Sequence, residues 1–272
     1  MSVPDLVSAA VLGVVEGVTE FLPVSSTGHL IIVGDWLGFS GDRAKTFEIV
    51  IQVGAILAIV WLYRHRFLEV ARSAAREPDS RRFITNLVLG FLPAAVLGLL
   101  THHWIKAHLF TPLVVGCAFI VGGIAILIIE RWKPVATVET AAEITPRTAL
   151  GVGIAQMLAL IPGMSRSAAT IMGGYSLGLS RTAATEFSFF LAVPVLTAAA
   201  GLDLFRSLDV LSRADIPLFL VGLIVSFIAA FVVVKGFLKY VAHHSFSAFA
   251  WYRIGFGLLL LWAYGRSGFP AL

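Results

Sequence analysis

The sequence predicts an all-α polytopic membrane protein: six transmembrane helices plus two re-entrant helix-loop-helix hairpins arranged as inverted repeats. Three observations predict it. First, the 272 residues are 58% hydrophobic and 13% charged, with a mean hydropathy of +0.91. Soluble domains carry about a quarter charged residues. Second, several apolar runs reach the roughly 17–25 residues that cross a bilayer. Third, two long apolar stretches are each broken in the middle by Pro, Gly and Ser, at corresponding places in the two halves of the chain.

The first element is one of these, residues 5–37, broken at "LPVSSTGH". Its pieces are short for a full crossing, and a membrane tolerates irregular backbone only where protein buries it or it lines a wet cavity. A re-entrant hairpin satisfies that condition. The stretch lacks the basic start of a cleaved signal peptide, its first charges being Asp5, Glu16 and Glu20. Hydropathy then places crossings at 48–63, 84–100 and 112–130. The second hairpin, 148–178, breaks at "IPGMSRSAAT", and crossings follow at 186–205, 217–235 and 250–265. The whole of 1–272 reads as one integral membrane domain, with 5–64 and 148–206 as hairpin-plus-helix units. Cys117 is alone in the sequence, which excludes an intramolecular disulfide and a cysteine metal site.

Charge sets the direction. With 64–82 on the cytoplasmic side, 13 Lys and Arg fall inside and 6 outside, and both termini face out. That bias follows the positive-inside rule. The net charge of +4 is too modest to suggest a nucleic-acid partner. "GFSGDRAKTFEIVIQVGA" (38–55) and "GLSRTAATEFSFFLAVPV" (178–195) share Gly, Ser, Ala, Phe and Val at an offset of 140, where Glu16 also meets Gln156. The hairpins enter from opposite faces in this topology. Inverted repeats of this kind bring two broken helices together near the midplane.

The first break holds "EGVTEFLPVSSTGHL". Glu16 and Glu20, four apart, stack on one helix face and repel. In an apolar setting they need a cation, a proton or a basic partner. A divalent metal held by carboxylates and substrate phosphates, as Mg2+ is, meets that need. Ser25, Ser26, Thr27 and His29 follow; hydroxyls here either cap the helix or act on substrate. Glu20 or His29 can activate a hydroxyl, and His29 can itself attack phosphorus or activate water. Spacing leaves Ser26, His29 and water open as the nucleophile, with Ser26 favoured because two activators adjoin it.

The second break places Arg166 among Ser165, Ser167 and Thr170. A guanidinium matches phosphate oxygens in bidentate fashion, and a broken helix offers backbone N–H groups to an anion. Pairing of Arg166 with one of the glutamates is compatible with that role. An acidic half-site facing a basic, hydroxyl-rich one suits a metal-bound diphosphate. Glu48 with Gln52 is a candidate cavity-lining pair, and Glu48 and Glu186 open crossings. Arg181, Arg206 and Arg253 read as interface anchors, and His102–His103 and His243–His244 read as loop residues without a metal spacing.

At "EGVTEFLPVSSTGH" and "PGMSRSAAT" the chain resembles the undecaprenyl-diphosphate phosphatase family, also called bacitracin-resistance proteins. The likeness extends over nearly the whole chain in motif order and hydropathy. It implies a bacterial inner-membrane enzyme that hydrolyses undecaprenyl diphosphate to undecaprenyl phosphate and phosphate. That recycles the lipid carrier of peptidoglycan synthesis. It also implies dependence on a divalent cation, Mg2+ or Ca2+, and a site open to the outer, periplasmic face. Family roles carry over to Glu16, Glu20, Ser26, His29, Ser165, Arg166, Ser167 and Thr170. The expected site is therefore Glu20, Ser26, His29 and Arg166 as catalytic residues, Ser25, Thr27, Ser165, Ser167 and Thr170 around the substrate, and Glu16 with Glu20 on the metal. Expected partners are the polyprenyl diphosphate and membrane lipids, with a homodimer allowed. The competing reading is an inverted-repeat transporter or lipid flippase. A type-2 phosphatidic acid phosphatase is disfavoured, because "SRSAATIMGGYS" lacks the histidine that family's motif requires.

Overall fold

The computed structural model describes residues 3–39, 41–132, 135–206 and 215–265. Eleven α-helices and two 3-10 turns account for nearly all of them, and the described residues contain one isolated bridge, Val138 to Leu179, and no strand. In order the helices are α1 (Val3–Thr19), α2 (Ser26–Trp36), α3 (Asp42–Leu62), α4 (Arg64–Ser73), α5 (Pro78–His108), α6 (Pro112–Trp132), α7 (Pro146–Gln156), α8 (Arg166–Ser176), α9 (Arg181–Arg206), α10 (Ile216–Val241) and α11 (Ser247–Gly265).

Four of these, α5, α6, α9 and α10, are long and apolar enough to cross a membrane. Thr46–Leu62 of α3 and α4 pass the same test only when taken together, and they are bent by 72°. The bend falls where "AIVWLY" gives way to "RHRF", so the chain turns as its side chains become charged. Arg64 lies over the Trp61 ring there, 5.0 Å from its centroid. α11 covers the predicted segment 250–265, but Arg253 and its Trp and Tyr residues dilute its apolar stretch. The protein is a multi-pass membrane protein. Prolines mark helix starts, as Pro78 on α5 and Pro146 on α7, where a missing N–H costs nothing. α5 runs eight residues past the predicted crossing, so His102 and His103 lie in its last turns rather than in a loop.

Small residues let the helices approach. On α1, a Cβ at Gly13 would lie 2.7 Å from Gly222 O, and one at Gly17 2.5 Å from Ser226 O, both on α10. Close helix contact through small residues at a spacing of four is a membrane packing device. A separate, large apolar core includes Phe21, Phe187, Phe189, Phe237 and Phe246. At the far end, Arg181 makes two bonds to Glu130, at 3.1 and 2.6 Å, while Phe246 N donates to Glu130 Oε1 at 2.8 Å. Arg181 is therefore not a simple interface anchor; it ties α6, α9 and the start of α11. The Arg206 side chain lies outside the described residues.

The two breaks share their backbone register at an offset of 140. α2 and α8 both have 11 residues and start 140 positions apart, at Ser26 and Arg166. Each is preceded by a serine at positive φ, Ser25 at 69° and Ser165 at 71°. Gly38 and Gly178, also 140 apart, take φ of 62° and 90° beyond the helix ends. Positive φ is costly for a non-glycine residue and persists only where its surroundings hold it. Each serine sits immediately before the helix that follows its break, α2 or α8.

Candidate active site

The two breaks meet, and their polar side chains bond to each other rather than to lipid. Ser167 Oγ donates to Leu22 O at 2.6 Å, pinning the second break to the first. Arg166 Nη2 reaches Glu20 Oε1 at 2.9 Å, an ion pair whose side chains are 9% and 7% exposed. The remaining oxygen of that carboxylate, Glu20 Oε2, accepts a 2.6 Å bond from Ser26 Oγ. Ser26, Glu20 and Arg166 thus form one chain of contacts: hydroxyl, carboxylate, guanidinium. A nucleophile needs a base within hydrogen-bond reach, and the base needs a third group to orient it. Ser26 and Glu20 meet that geometry, with Arg166 as the orienting group.

Arg166 is held from its other side by Ser188, through Nη1 to the backbone oxygen at 3.0 Å and to Oγ at 3.3 Å. Its Nε–H is buried without a partner. Thr170 Oγ1 lies 2.7 Å from Ser188 Oγ and also bonds to Arg166 O at 2.9 Å. Ser165 caps α8, accepting from Ala168 N at 3.1 Å, and its Oγ lies 3.0 Å from Ser167 Oγ. Thr170, Ser165 and Ser167 therefore shape the second break and hold Arg166's helix, each through bonds to protein. Ser188 is a site residue that the sequence reading passed over. The signal was present, since the offset of 140 pairs it with Glu48.

His29 is fixed at both nitrogens. Nδ1 bonds to Ser25 O at 2.7 Å, and Nε2 lies 2.6 Å from Tyr252 Oη. A carbonyl only accepts, so Nδ1 carries the proton, and neutral imidazole then accepts from the tyrosine hydroxyl at Nε2. The ring stacks on Phe256 with centroids 4.2 Å apart. Through its two hydrogen bonds His29 links the Ser25 backbone to Tyr252 on α11. Tyr252, unlike Ser188, carried no sequence signal. Thr27, on the first turn of α2, is exposed, while Ser25 is buried and makes no side-chain cap.

Glu16 is buried, and its Oε2 has no hydrogen-bond partner. Glu20, Glu48 and Arg166 are the charges within electrostatic reach of it. A buried carboxylate oxygen without a partner is costly, so this one calls for a proton or a cation. Among the described residues no three His, Cys, Asp or Glu gather as a metal cluster. The unpartnered Glu16 Oε2 is the oxygen here that would suit a divalent cation, whereas both oxygens of Glu20 already bond to Ser26 and Arg166.

Arg253 corrects the sequence reading. It is completely buried rather than anchored at the interface. Its guanidinium donates to backbone carbonyls of both breaks and of α6. A position early in an apolar helix looks like an interface; the carbonyls that draw the side chain inward come from distant segments. Two apolar cavities, of about 350 and 470 Å³, lie along α5 away from these residues.

The chain is similar to proteins of one family. The profile of the family described as "Bacitracin resistance protein BacA" matches residues 9–259. The protein named undecaprenyl-diphosphatase in Dechloromonas aromatica (strain RCB) is 53% identical over 262 residues, covering 96% of each chain. Its namesake in Nitrosospira multiformis (strain ATCC 25196 / NCIMB 11849 / C 71) is 53% identical over 256 residues, 94% of each chain. "Undecaprenyl-diphosphatase 2" of Rhodospirillum rubrum (strain ATCC 11170 / ATH 1.1.1 / DSM 467 / LMG 4362 / NCIMB 8255 / S1) is 53% identical over 262 residues, again 96% of each.

Proposed function

The chain belongs to the bacitracin resistance protein BacA family, and from that premise we propose how its two breaks hydrolyse undecaprenyl diphosphate to undecaprenyl phosphate and inorganic phosphate. The protein is an undecaprenyl-diphosphatase, a phosphoric anhydride hydrolase of the membrane. Its activity recycles the lipid carrier for peptidoglycan synthesis and confers bacitracin resistance. The observation that carries the mechanism is the bond from Ser26 Oγ to Glu20 Oε2, with Arg166 on the other carboxylate oxygen.

In the mechanism we propose, the diphosphate lies between the N-termini of α2 and α8. Helix N-termini attract anions through free N–H groups and the helix dipole. Ser26 Oγ attacks the terminal phosphorus as its proton passes to Glu20. The bond from that phosphorus to the bridging oxygen breaks, and undecaprenyl phosphate leaves. Glu20 gives that proton to the departing undecaprenyl phosphate; the restored carboxylate then takes a proton from the water that attacks the phosphoserine and returns it to Ser26 Oγ as phosphate departs. Arg166 offsets charge on the transferring group, where preorganised donors contribute most in phosphoryl transfer. Ser165, Ser167, Thr170 and Ser188 keep Arg166 in place, and Ser25 and Thr27 present the first turn of α2 to substrate. Glu16 would hold a divalent cation, Mg2+ or Ca2+, which when bound supplies positive charge to the diphosphate oxygens. All of these residues come from one chain.

The units 5–64 and 148–206 are inverted repeats in this reading, with six crossings and two re-entrant hairpins. The matching φ values at Ser25 and Ser165 and the shared offset of 140 support it. The protein sits in the bacterial inner membrane with its site open to the periplasmic face, as the bias of basic residues supports. Purified protein given undecaprenyl diphosphate should release phosphate, and a chelator should stop the release. Lipid translocation without phosphate release would replace this reading with a transporter.

A further inference from the structure

Arg253 is the residue that the phosphatase chemistry does not use and that burial makes hardest to ignore. It is 0% exposed on α11. Four bonds hold it: Nη1 to Pro23 O at 3.3 Å, Nη2 to Gly163 O at 3.0 Å and to Ala118 O at 3.1 Å, and Nε to Phe119 O at 3.4 Å. The guanidinium also lies over the Phe119 ring, 5.2 Å from its centroid. Among the described residues its hydrogen-bond partners are all carbonyl oxygens, with no carboxylate. A buried charge is costly in a membrane and is retained where it does something.

Two of those carbonyls are not independent. Pro23 and Gly163 stand 140 residues apart, the offset that relates the two breaks. Each lies two positions before its positive-φ serine, Ser25 or Ser165. Each lies three before the site residue that opens the following helix, Ser26 or Arg166. One guanidinium therefore takes the equivalent carbonyl from both breaks. Its planar fork fixes the directions of its donors, which a single ammonium cannot do. Space for it is cleared on α6, where a Cβ at Gly122 would collide with the guanidinium. The neighbouring residue on α11 acts on the same break, Tyr252 Oη bonding to His29 Nε2 at 2.6 Å.

We propose that Arg253 is a positioning residue that locks the two breaks in register, so that Ser26 and Arg166 face one phosphate. It does not touch substrate; it acts through the backbones of Pro23 and Gly163. This rests on the phosphatase reading of the site. Small displacements of reacting groups, about 1 Å, can cost on the order of 10²-fold in rate.

The test pairs kinetics with amide hydrogen exchange on full-length Arg253→Lys in detergent, with Arg253→Met as a second variant of similar length and no charge. The expected result for Lys is a kcat lower by about 10- to 100-fold with KM within about threefold, because register rather than charge is lost. Exchange should quicken together at Val24–Ser26 and Met164–Arg166, while α10 keeps its protection. A role limited to packing α11 on α6 would instead quicken exchange along 116–123 and leave both breaks protected, which overturns the proposal. Near-normal kcat in Arg253→Lys also overturns it. If the wild-type protein releases no phosphate, the functional reading falls, and the exchange pattern still decides whether Arg253 couples the breaks.

Discussion

Ser26 Oγ lies 2.6 Å from Glu20 Oε2, although the two stand six positions apart across a break in the helix. The bond exists because the chain leaves α1 after Thr19, turns through Phe21–Val24 and starts α2 at Ser26. The turn folds the hydroxyl back onto the carboxylate. The Arg166 guanidinium, from the other half of the chain, then fixes that carboxylate's orientation.

Removing the base should remove turnover. Glu20→Gln keeps an oxygen for Ser26 and loses the ability to take its proton. Steady-state phosphate release should fall on the order of 10²-fold or more. Full activity in this variant would exclude Glu20 from proton transfer.

The Glu20–Arg166 pair should also matter to stability. Removing one member of a buried pair typically costs about 3–5 kcal/mol, because the other charge is left alone. Glu20→Gln and Arg166→Gln should each lower the thermal unfolding midpoint. The double variant should lie well above the sum of the two losses. Additive losses would mean that the two side chains are not coupled.

Charge alone should not replace Arg166. Its Nη1 bonds to Ser188 O and its Nη2 to Glu20 Oε1, at 3.0 and 2.9 Å. A single ammonium cannot serve both directions. Arg166→Lys should lose at least about tenfold in kcat/KM. Near-normal turnover would make Arg166 a simple counter-charge.

Glu16 should reveal itself through the metal. Its Oε2 is the buried carboxylate oxygen without a partner. Glu16→Gln should raise the Mg2+ concentration needed for half-maximal activity and, at saturating Mg2+, lose less than Glu20→Gln, at most about tenfold. An unchanged metal requirement would remove Glu16 from the cation.

Much of this was legible in the sequence because the signals were local. Each of the six predicted crossings overlaps a helix, since runs of apolar residues are read one segment at a time. Both breaks were visible as Pro, Gly and Ser inside apolar stretches, and the pairing of Arg166 with a glutamate followed from opposite charges in lipid. The missed residues depend on partners far away in the chain. Arg253 reaches carbonyls 230 and 90 residues away, and Tyr252 reaches His29 across 223. Ser188 looked like one more small residue in "EFSFFLAV". Carbonyl acceptors leave no mark on side-chain identity, so Arg253 passed for an interface anchor. The partners of His29, Ser25 O and Tyr252 Oη, likewise leave no mark in the local sequence.

The central claim is that Ser26 takes the phosphoryl group. Rapid quench of the purified protein with substrate labelled in the terminal phosphate tests it most directly. The account predicts transient, acid-stable label on the peptide that contains Ser26, lost in Ser26→Ala together with turnover. Acid-labile label on His29, or full turnover in Ser26→Ala, would contradict it.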